Sequence, residues 1–299
     1  MSVKLARIKK ECIVEYDINQ PPDIFFDTNV WRGMNRDDKT FLYSLQQKRG
    51  FRYRYTVTNF VELASHLADE PSIKYANPFN NIKACFRKII ELCHAEVLPS
   101  PEIEFAREAG LEHYIDPAWI PNILCMITKV EAIANASNIK DIAQIIDISH
   151  YKKMKQTDNK SLKTAFSNFP AISKPSTQDE MEKALQWFMY IASFFFIERP
   201  SNGKVRYGDL TKKEKESFQT AFTCGACRIF FNHCMTRIRQ TIRDGKKIDP
   251  NDLYDMLQLI LLRNKNRLFV TSENSFFLYK IDDSESQRVV SWEQFRKSN

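Results

Sequence analysis

The chain begins with an alternation of short apolar runs and amphipathic stretches. Residues 24–26 are entirely apolar, as expected of a short strand that is buried on both faces of a parallel sheet. Residues 53–57 form the next predicted strand, and an amphipathic helix over residues 37–47 separates the two. A further helix follows the second strand, with Thr58 or Asn59 as its N-cap. Strands that alternate with helices predict a parallel α/β sheet.

A long helical block interrupts this alternation. Residues 70–245 carry apolar positions at helical spacing, and residues 152–176 within them are rich in Lys, Ser and Pro, which predicts an exposed loop. The α/β pattern resumes near the C-terminus in a helix at 251–263, strands at 268–270 and 288–291, and a short helix at 293–297. We therefore expect an α/β domain formed by residues 1–69 and 246–299, with residues 70–245 as a large all-helical insertion.

Four acidic residues stand at junctions between the predicted strands and helices. Asp27 follows the first strand, and Glu62 lies one turn into the helix after the second strand. Asp255 lies near the start of the helix at 251–263, and Glu273 comes 18 residues later, after the next strand. Parallel strands end at a common edge of the sheet, which is the usual place for ligands. The four carboxylates are therefore expected to converge.

Converging carboxylates repel one another, and a divalent cation between them removes the repulsion. Mg²⁺ or Mn²⁺ in such a place lowers the pKa of bound water and stabilises the charge that develops during phosphodiester hydrolysis. Asp252 shares a helix face with Asp255 and is an alternative ligand. Each acid also has an ordinary structural explanation as a helix cap, a charge near a helix N-terminus, a solvated side chain or a turn residue. The functional interpretation rests on their combination.

The chain carries a moderate positive charge of +7, from 44 Lys and Arg against 37 Asp and Glu. This excess fits a polyanionic partner such as nucleic acid without establishing one. One basic group precedes the helix of Asp255 and comprises Arg228, Arg237, Arg239, Arg243, Lys246 and Lys247. A second group falls in the predicted loop and comprises Lys152, Lys153, Lys155, Lys160 and Lys163. Either group could contact phosphates, and a solvated helix face is the alternative explanation for both.

Seven cysteines are scattered along the chain without the spacing of a disulfide framework, which favours a reducing, cytoplasmic location. Cys224 and Cys227 form a C-x-x-C pair. Together with His233 and Cys234 they invite a zinc interpretation, but the segment is strongly helical and buried cysteine packing is the default. The most apolar run, residues 184–197, is too short to span a bilayer, so no membrane association is expected.

Several short motifs resemble those of the PIN-domain nucleases. Residues 26–30 (FDTNV) are similar to the opening motif of that family, and residues 57–63 (VTNFVEL) to its second motif, whose acid corresponds to Glu62. Residues 255–276 resemble the closing helix–strand unit, in which an acid opens the helix and Thr-x-Asp follows the strand. Residues 289–295 are similar to the final strand and the short segment behind it.

The resemblance covers roughly residues 22–69 and 246–299. It implies a Mg²⁺- or Mn²⁺-dependent endoribonuclease whose core is PIN-like, that is, a flavodoxin-like three-layer α/β arrangement. By this resemblance, Asp27, Glu62 and Asp255 would be the metal-binding and catalytic acids.

The resemblance also implies supporting roles and one departure from the family. Thr28 and Asn29 would support the site through hydrogen bonds, and Thr271 or Ser272 would have a smaller part. Glu273 would be a fourth catalytic, metal-binding acid, but the family usually has Asp at this place. Glu keeps the charge and moves the carboxylate by roughly 1.5 Å, about one carbon–carbon bond. We expect this shift either to replace direct coordination by contact through water or to change the preferred metal.

The expected partners follow from the same resemblance. Proteins of this kind are often toxins or defence effectors in bacteria, so RNA is the expected substrate and an antitoxin-like inhibitor protein an expected partner. The helical insertion would act as a lid, a substrate-binding domain or a homodimer interface. Two alternatives stay open. One is a catalytically degenerate RNA-binding or scaffold protein, which Glu273 and the large insertion favour, and the other is a structure-specific DNA nuclease.

Overall fold

The structure is a computed structural model that describes residues 3–8, 11–73, 76–94, 96–118, 123–167, 178–244, 252–277 and 287–298. The chain divides into two compact units. Unit 1 comprises Met1–Pro99, Asn122–Lys155 and Asn264–Asn299. Unit 2 comprises Ser100–Pro121 and Gln156–Arg263.

The strands all belong to unit 1. In chain order they are β1 (Lys4–Ile8), β2 (Glu11–Glu15), β3 (Asp23–Phe26), β4 (Arg52–Arg54), β5 (Arg267–Thr271) and β6 (Val289–Ser291). The helices in chain order are α1 (Thr28–Gly33), α2 (Arg36–Arg49), α3 (Val57–Ser65), α4 (Pro78–Cys93), α5 (Pro101–Ala109), α6 (Ile123–Asn135), α7 (Ile139–Ala143), α8 (Ile148–Ser167), α9 (Gln178–Ser193), α10 (Lys212–Thr223), α11 (Arg228–Asp244), α12 (Asp252–Gln258) and α13 (Trp292–Lys297).

Unit 1 is built around a four-stranded parallel sheet. β3 pairs with β4 on one side and with β5 on the other, and β5 pairs with β6, so the strand order is β4-β3-β5-β6. In this register Ile24 of β3 lies beside both Tyr53 and Leu268. β1 and β2 form a separate antiparallel pair. The predicted α/β class with a parallel sheet is confirmed.

The two central strands are buried on both faces, which explains the apolar runs at 24–26 and 268–270 within them. Ile24, Phe25 and Phe26 are fully buried, and every residue of β5 is buried. The rings of Phe25 and Phe269 stack across the β3–β5 pair, with centroids 5.0 Å apart. Burial of each such side chain stabilises the fold by about 1.5–3 kcal/mol. The residues that follow β3 and β5 therefore extend from a well-packed base.

A capping box fixes the start of α2. The side chain of Asn35 accepts from the Asp38 N–H, and the Asp38 carboxylate accepts from the Asn35 N–H, both at 2.9 Å. Replacing Asn35 by Ala is expected to lower the free energy of unfolding by about 1 kcal/mol, as measured by urea unfolding. Gln47→Ala, at an exposed position of the same helix, is the control and should change it by less than about 0.5 kcal/mol. Equal losses in the two variants would contradict this account of the cap.

The start of α3 corrects one prediction. The side chain of Thr56 accepts from the Asn59 N–H at 3.0 Å, and the Asn59 side chain accepts from the Thr56 N–H at 3.1 Å, so Thr56 is the cap. The prediction of Thr58 or Asn59 as the cap was wrong, because the reciprocal bonds form two residues earlier. For the same reason β4 ends at Arg54 and does not continue to residue 57.

In its described part, unit 2 is built from helices around a cluster of phenylalanines. The rings of Phe105 and Phe222 stack with centroids 4.5 Å apart. Phe188, Phe196 and Phe218 surround Phe222 with centroid distances of 5.2, 5.7 and 5.4 Å. Aromatic pairs at such distances contribute beyond their buried area, so this cluster forms the core of unit 2.

The prediction of an exposed loop at 152–176 was wrong for the part of this segment that the structure describes. α8 continues through this segment to Ser167, and residues 168–176 lie outside the described residues. The buried positions of α8 include Lys155, Asp158 and Leu162, at helical spacing. Two of these three residues are charged, so the buried face of α8 is not an apolar stripe. The sequence pattern therefore predicted a loop at this place.

The two units do not coincide with the predicted domains, in which residues 70–245 form one insertion between residues 1–69 and 246–299. Unit 1 also contains α4, α6, α7 and the first part of α8, whereas α12 belongs to unit 2. The physical reason is the apolar face of α4, where Ile82, Phe86 and Ile89 are buried. With this apolar face, α4 packs against α1, β4 and α6 within unit 1.

Candidate active site

The candidate site lies at the carboxyl ends of β3 and β5. In the parallel sheet β3 comes first along the chain and β4 second, on one side of β3, while β5 comes third, on the other side. Because the chain adds strands on opposite sides of β3, a crevice forms at the strand ends. Ligands of open parallel sheets usually bind in such a crevice. Asp27 follows β3 directly, and its backbone N–H donates to the carbonyl of Val270 in β5 at 2.9 Å. Asp27 therefore stands at the topological switch point.

The side chain of Asp27 is fully buried and is oriented by Thr271. The Thr271 hydroxyl donates to Asp27 Oδ2 at 2.9 Å and accepts from the backbone N–H of Glu273 at the same distance. Burial raises the pKa of Asp27 to about 6, although the Thr271 hydroxyl and the backbone amides of Asn29 and Thr28 act to lower it. The negative charge of Glu273 raises the pKa of Asp27 further.

Glu62 is buried in the second turn of α3, where Thr28 binds it and Asn59 in turn holds Thr28. The Thr28 hydroxyl donates to Glu62 Oε2 at 2.5 Å. Asn59 Nδ2 donates to that hydroxyl at 3.0 Å and to the carbonyl of Phe26 at 3.1 Å. Because Asn59 also forms the capping box with Thr56, its amide is fixed on both sides. These bonds fix the orientation of the Glu62 carboxylate.

The two buried carboxylates are electrostatically linked. Burial raises the pKa of Glu62 to about 7, the charge of Lys155 opposes this, and the charge of Asp27 raises it further. Ionising both carboxyls at once is therefore costly near neutral pH, since neither is well solvated and each repels the other. The arrangement favours either a retained proton or a bound cation.

A short chain of polar side chains begins at His66, one helical turn beyond Glu62 at the end of α3. Lys155, which is 8 % exposed, lies with Nζ 3.2 Å from His66 Nε2. His66 Nδ1 lies 2.5 Å from Asp69 Oδ2, and Lys152 donates to the other oxygen of Asp69 at 3.2 Å. Burial lowers the pKa of His66, so the neutral ring accepts from Lys155 and donates from Nδ1 to Asp69. The chain therefore holds a buried ammonium group close to Glu62.

The donor set at this site suits a hard divalent cation. Asp27 Oδ1 is buried and has no hydrogen-bond partner among the residues that the structure describes. A buried carboxylate oxygen is normally paired, so an unpaired one indicates a place for a bound ion or water. Over the same residues, no group of three His, Cys, Asp or Glu side chains is arranged to hold a metal. The pair of carboxylates fits Mg²⁺ nevertheless, because Mg²⁺ often takes one or two carboxylates and keeps several waters.

The structure places most of the other predicted unit 1 site residues around these two acids. Thr28 and Thr271 contact the carboxylates directly, as described above. The side chain of Asn29 is exposed, and the residue acts on Asp27 through its backbone N–H. Ser272 is exposed and Glu273 is half-buried just beyond β5.

The predicted residues of unit 2 are described within that unit alone. Asp255 is buried on α12, and its predicted convergence with Asp27 and Glu62 stays a prediction. Arg237 is half-buried and donates to Gln240 Oε1 at 3.2 Å. The predicted contacts of the remaining residues rest on atoms outside the described part of the chain, namely the side chains of Asp252, Arg239 and Arg243 and all of Lys246 and Lys247.

The zinc interpretation gains no support from the geometry. Cys227, His233 and Cys234 are buried and Cys224 is exposed. Within the described ranges these four side chains form no metal-binding group. Burial raises the pKa of the Cys227 thiol and lowers that of His233 to about 3, so both are held neutral. Packing within unit 2 accounts for them.

Sequence analysis missed two residues that shape the site. Asn59 was considered only as a cap, whereas this third residue of the VTNFVEL motif also donates to the carbonyl of Phe26 at the end of β3. Lys155 was assigned to a solvated loop, and no local signal marks its burial.

Comparisons with known protein families, with curated proteins and with solved structures find no match to this chain. No helix in the described part is both long enough and apolar enough to cross a membrane. The functional conclusion therefore rests on the site itself and on the resemblance of the quoted motifs.

Proposed function

We propose that this protein is a Mg²⁺- or Mn²⁺-dependent endoribonuclease with a PIN-like core. The observation that carries the proposal is the buried pair of Asp27 and Glu62 at the topological switch point, with Asp27 Oδ1 unpaired among the described residues. The strand order β4-β3-β5-β6 is compatible with the flavodoxin-like arrangement that the motifs imply.

The roles of the residues follow from their contacts. Asp27 and Glu62 would hold the metal, which when bound supplies a water of lowered pKa and positive charge for the phosphodiester. Thr271 orients Asp27, and Thr28 with Asn59 orients Glu62, so that neither carboxylate needs to reorganise.

Several further expectations belong to the same proposal. Asp255 would complete the acidic cluster, and Glu273, whose charge acts on the pKa of Asp27, would contact the metal directly or through water. An antitoxin-like inhibitor, a homodimer and a cytoplasmic location remain predictions.

A non-cleaving RNA-binding or scaffold protein is the second candidate, and two observations favour it. Lys155 already provides a positive charge near Glu62, which partly replaces the role of a cation. In addition, the described part of the chain has no preformed group of three metal-binding side chains. In this case RNA would bind and remain intact.

Incubation of the purified protein with single-stranded RNA and with DNA of the same sequence tests the proposal. We expect cleavage of RNA in Mg²⁺ or Mn²⁺ and none after addition of EDTA. RNA that binds and stays intact in both metals would establish the second candidate instead. Cleavage that persists in EDTA would contradict the metal-dependent proposal, and cleavage of DNA alone would favour a DNA nuclease.

The contribution of Thr271 can be tested by Thr271→Val, which keeps the shape of the side chain and removes its hydroxyl. Because the Asp27 carboxylate loses the bond that orients it, we expect RNA cleavage to fall by about 10- to 100-fold. Thr40→Val, an exposed change on α2, is the matched control and should leave the rate unchanged. Equal rates for Thr271→Val and the wild type would show that this bond is not needed.

A further inference from the structure

A cavity of about 350 Å³ in unit 1 has no role in the chemistry described so far. It lies between α1, the end of α3 and α4, and Arg32, His66 and Lys88 are among its lining residues. His66 follows Glu62 by one helical turn. Besides the dominant effect of burial, the charge of Arg32 acts to lower the pKa of Glu62. The cavity therefore adjoins the candidate active site.

The cations of the lining have different roles. Lys88 Nζ donates to the carbonyls of Trp31 and Met34 at 2.9 and 2.6 Å, so it ties the end of α1 to α4 and builds the wall. Arg32 is half-buried and lines the cavity. A guanidinium group suits the bidentate recognition of phosphate oxygens. Arg32 is therefore placed to receive a phosphate next to the acids.

The rest of the lining suits a nucleobase better than a free phosphate. Ile82 and Cys85 are buried and give the cavity an apolar floor. Asn81 and Glu70 are exposed members of the lining that supply an amide and an acceptor. Unpaired bases of RNA are recognised through their flat faces and through hydrogen bonds to their edges. A lone phosphate would leave the floor unused.

We propose that this cavity binds one unpaired ribonucleotide of the substrate RNA, with its phosphate on Arg32 and its base on the floor formed by Ile82 and Cys85. This inference rests on the proposed function, because it assigns the cavity to the RNA that is cleaved at Asp27 and Glu62. Its volume lies at the small end of the range for ligand pockets, as expected for a single nucleotide.

Calorimetric titration of the metal-free protein in EDTA with each of the four ribonucleoside 5′-monophosphates, and with inorganic phosphate, tests this inference without cleavage. We expect at least one nucleotide to bind more tightly than phosphate. Arg32→Gln should weaken that binding by about 10-fold or more, since it removes charged hydrogen bonds. Arg36→Gln, an exposed arginine at the start of α2, is the matched control and should bind like the wild type.

A second variant keeps the test decisive if Arg32→Gln folds poorly. Ala84 is an exposed member of the lining, so Ala84→Phe narrows the cavity without entering the core and should abolish nucleotide binding. The inference is overturned if no nucleotide binds better than phosphate, or if Ala84→Phe binds nucleotide like the wild type. Nucleotide binding without RNA cleavage would overturn the proposed function alone, whereas cleavage without nucleotide binding would overturn this inference alone.

Discussion

Replacement of Asp27 by Asn is expected to lower the rate of RNA cleavage by more than about 100-fold, because loss of a group that only orients a metal ligand already costs 10- to 100-fold. Asn keeps the oxygen that accepts from Thr271, so the local structure should remain. What the variant loses is the charged, unpaired Oδ1 that the proposed metal would need. The effect should therefore fall on the reaction and on metal binding, with the fold intact.

Single-turnover cleavage of a defined RNA, with wild-type and variant proteins in saturating Mn²⁺, measures this effect. Asp37→Asn is the matched control, because Asp37 is an exposed aspartate on α2 of the same unit, and it should cleave at the wild-type rate. If Asp27→Asn retains the wild-type rate, Asp27 is a structural residue and the proposed site is elsewhere.

The second large effect is a loss of stability of unit 1 as the pH rises in the absence of metal. The pKa of Asp27 is raised from its ordinary value of 3.8 to about 6, and that of Glu62 from 4.5 to about 7, chiefly by burial. At pH values between the ordinary and the raised pKa of each group, the folded protein binds more protons than the unfolded chain. The stabilisation is therefore complete below about pH 4 and is lost as the pH rises through the folded pKa values. For one carboxyl, a shift of about two units corresponds to roughly 3 kcal/mol.

Asp27→Asn removes one of the two titrating groups and the repulsion that it exerts on the other. Relative to this variant, we expect the wild type to lose about 3 kcal/mol of stability between about pH 4 and pH 8 in EDTA. Native-state hydrogen exchange of peptides covering β3 and β5 measures the difference and reports unit 1 specifically. Parallel pH profiles for the two proteins would contradict the assigned burial of these carboxyls.

The residues that sequence analysis located correctly are those fixed by short-range rules. β3 and β5 were predicted because strands buried on both faces must be continuous apolar runs, as Ile24 and Phe269 illustrate. Asp27 followed from β3, and Glu62 from the helix after β4, since the ends of neighbouring parallel strands lie together. The Asn59 contact with Thr28 could not be predicted in the same way, because it depends on side-chain orientations that no local pattern specifies.

The remaining differences arise from tertiary packing that leaves no local pattern. Lys155 lies on the buried face of α8 together with the charged residue Asp158. The helix therefore lacks the apolar stripe that would identify its buried face from sequence. Likewise, α4 was assigned to an insertion because nothing in its own sequence shows that Phe86 packs in unit 1. Composition indicated a solvated, lysine-rich segment, and the fold instead uses one of its lysines as a buried charge near Glu62.

The central claim is that Asp27 and Glu62 together hold a divalent cation, and titration of the protein with Mn²⁺ at neutral pH tests it most directly. Calorimetry of the wild type, with Asp27→Asn and the exposed control Asp37→Asn alongside, separates this site from adventitious surface binding. The account predicts saturable Mn²⁺ binding by the wild type and by the control, and its loss in Asp27→Asn. Indistinguishable Mn²⁺ binding by the wild type and Asp27→Asn would contradict it.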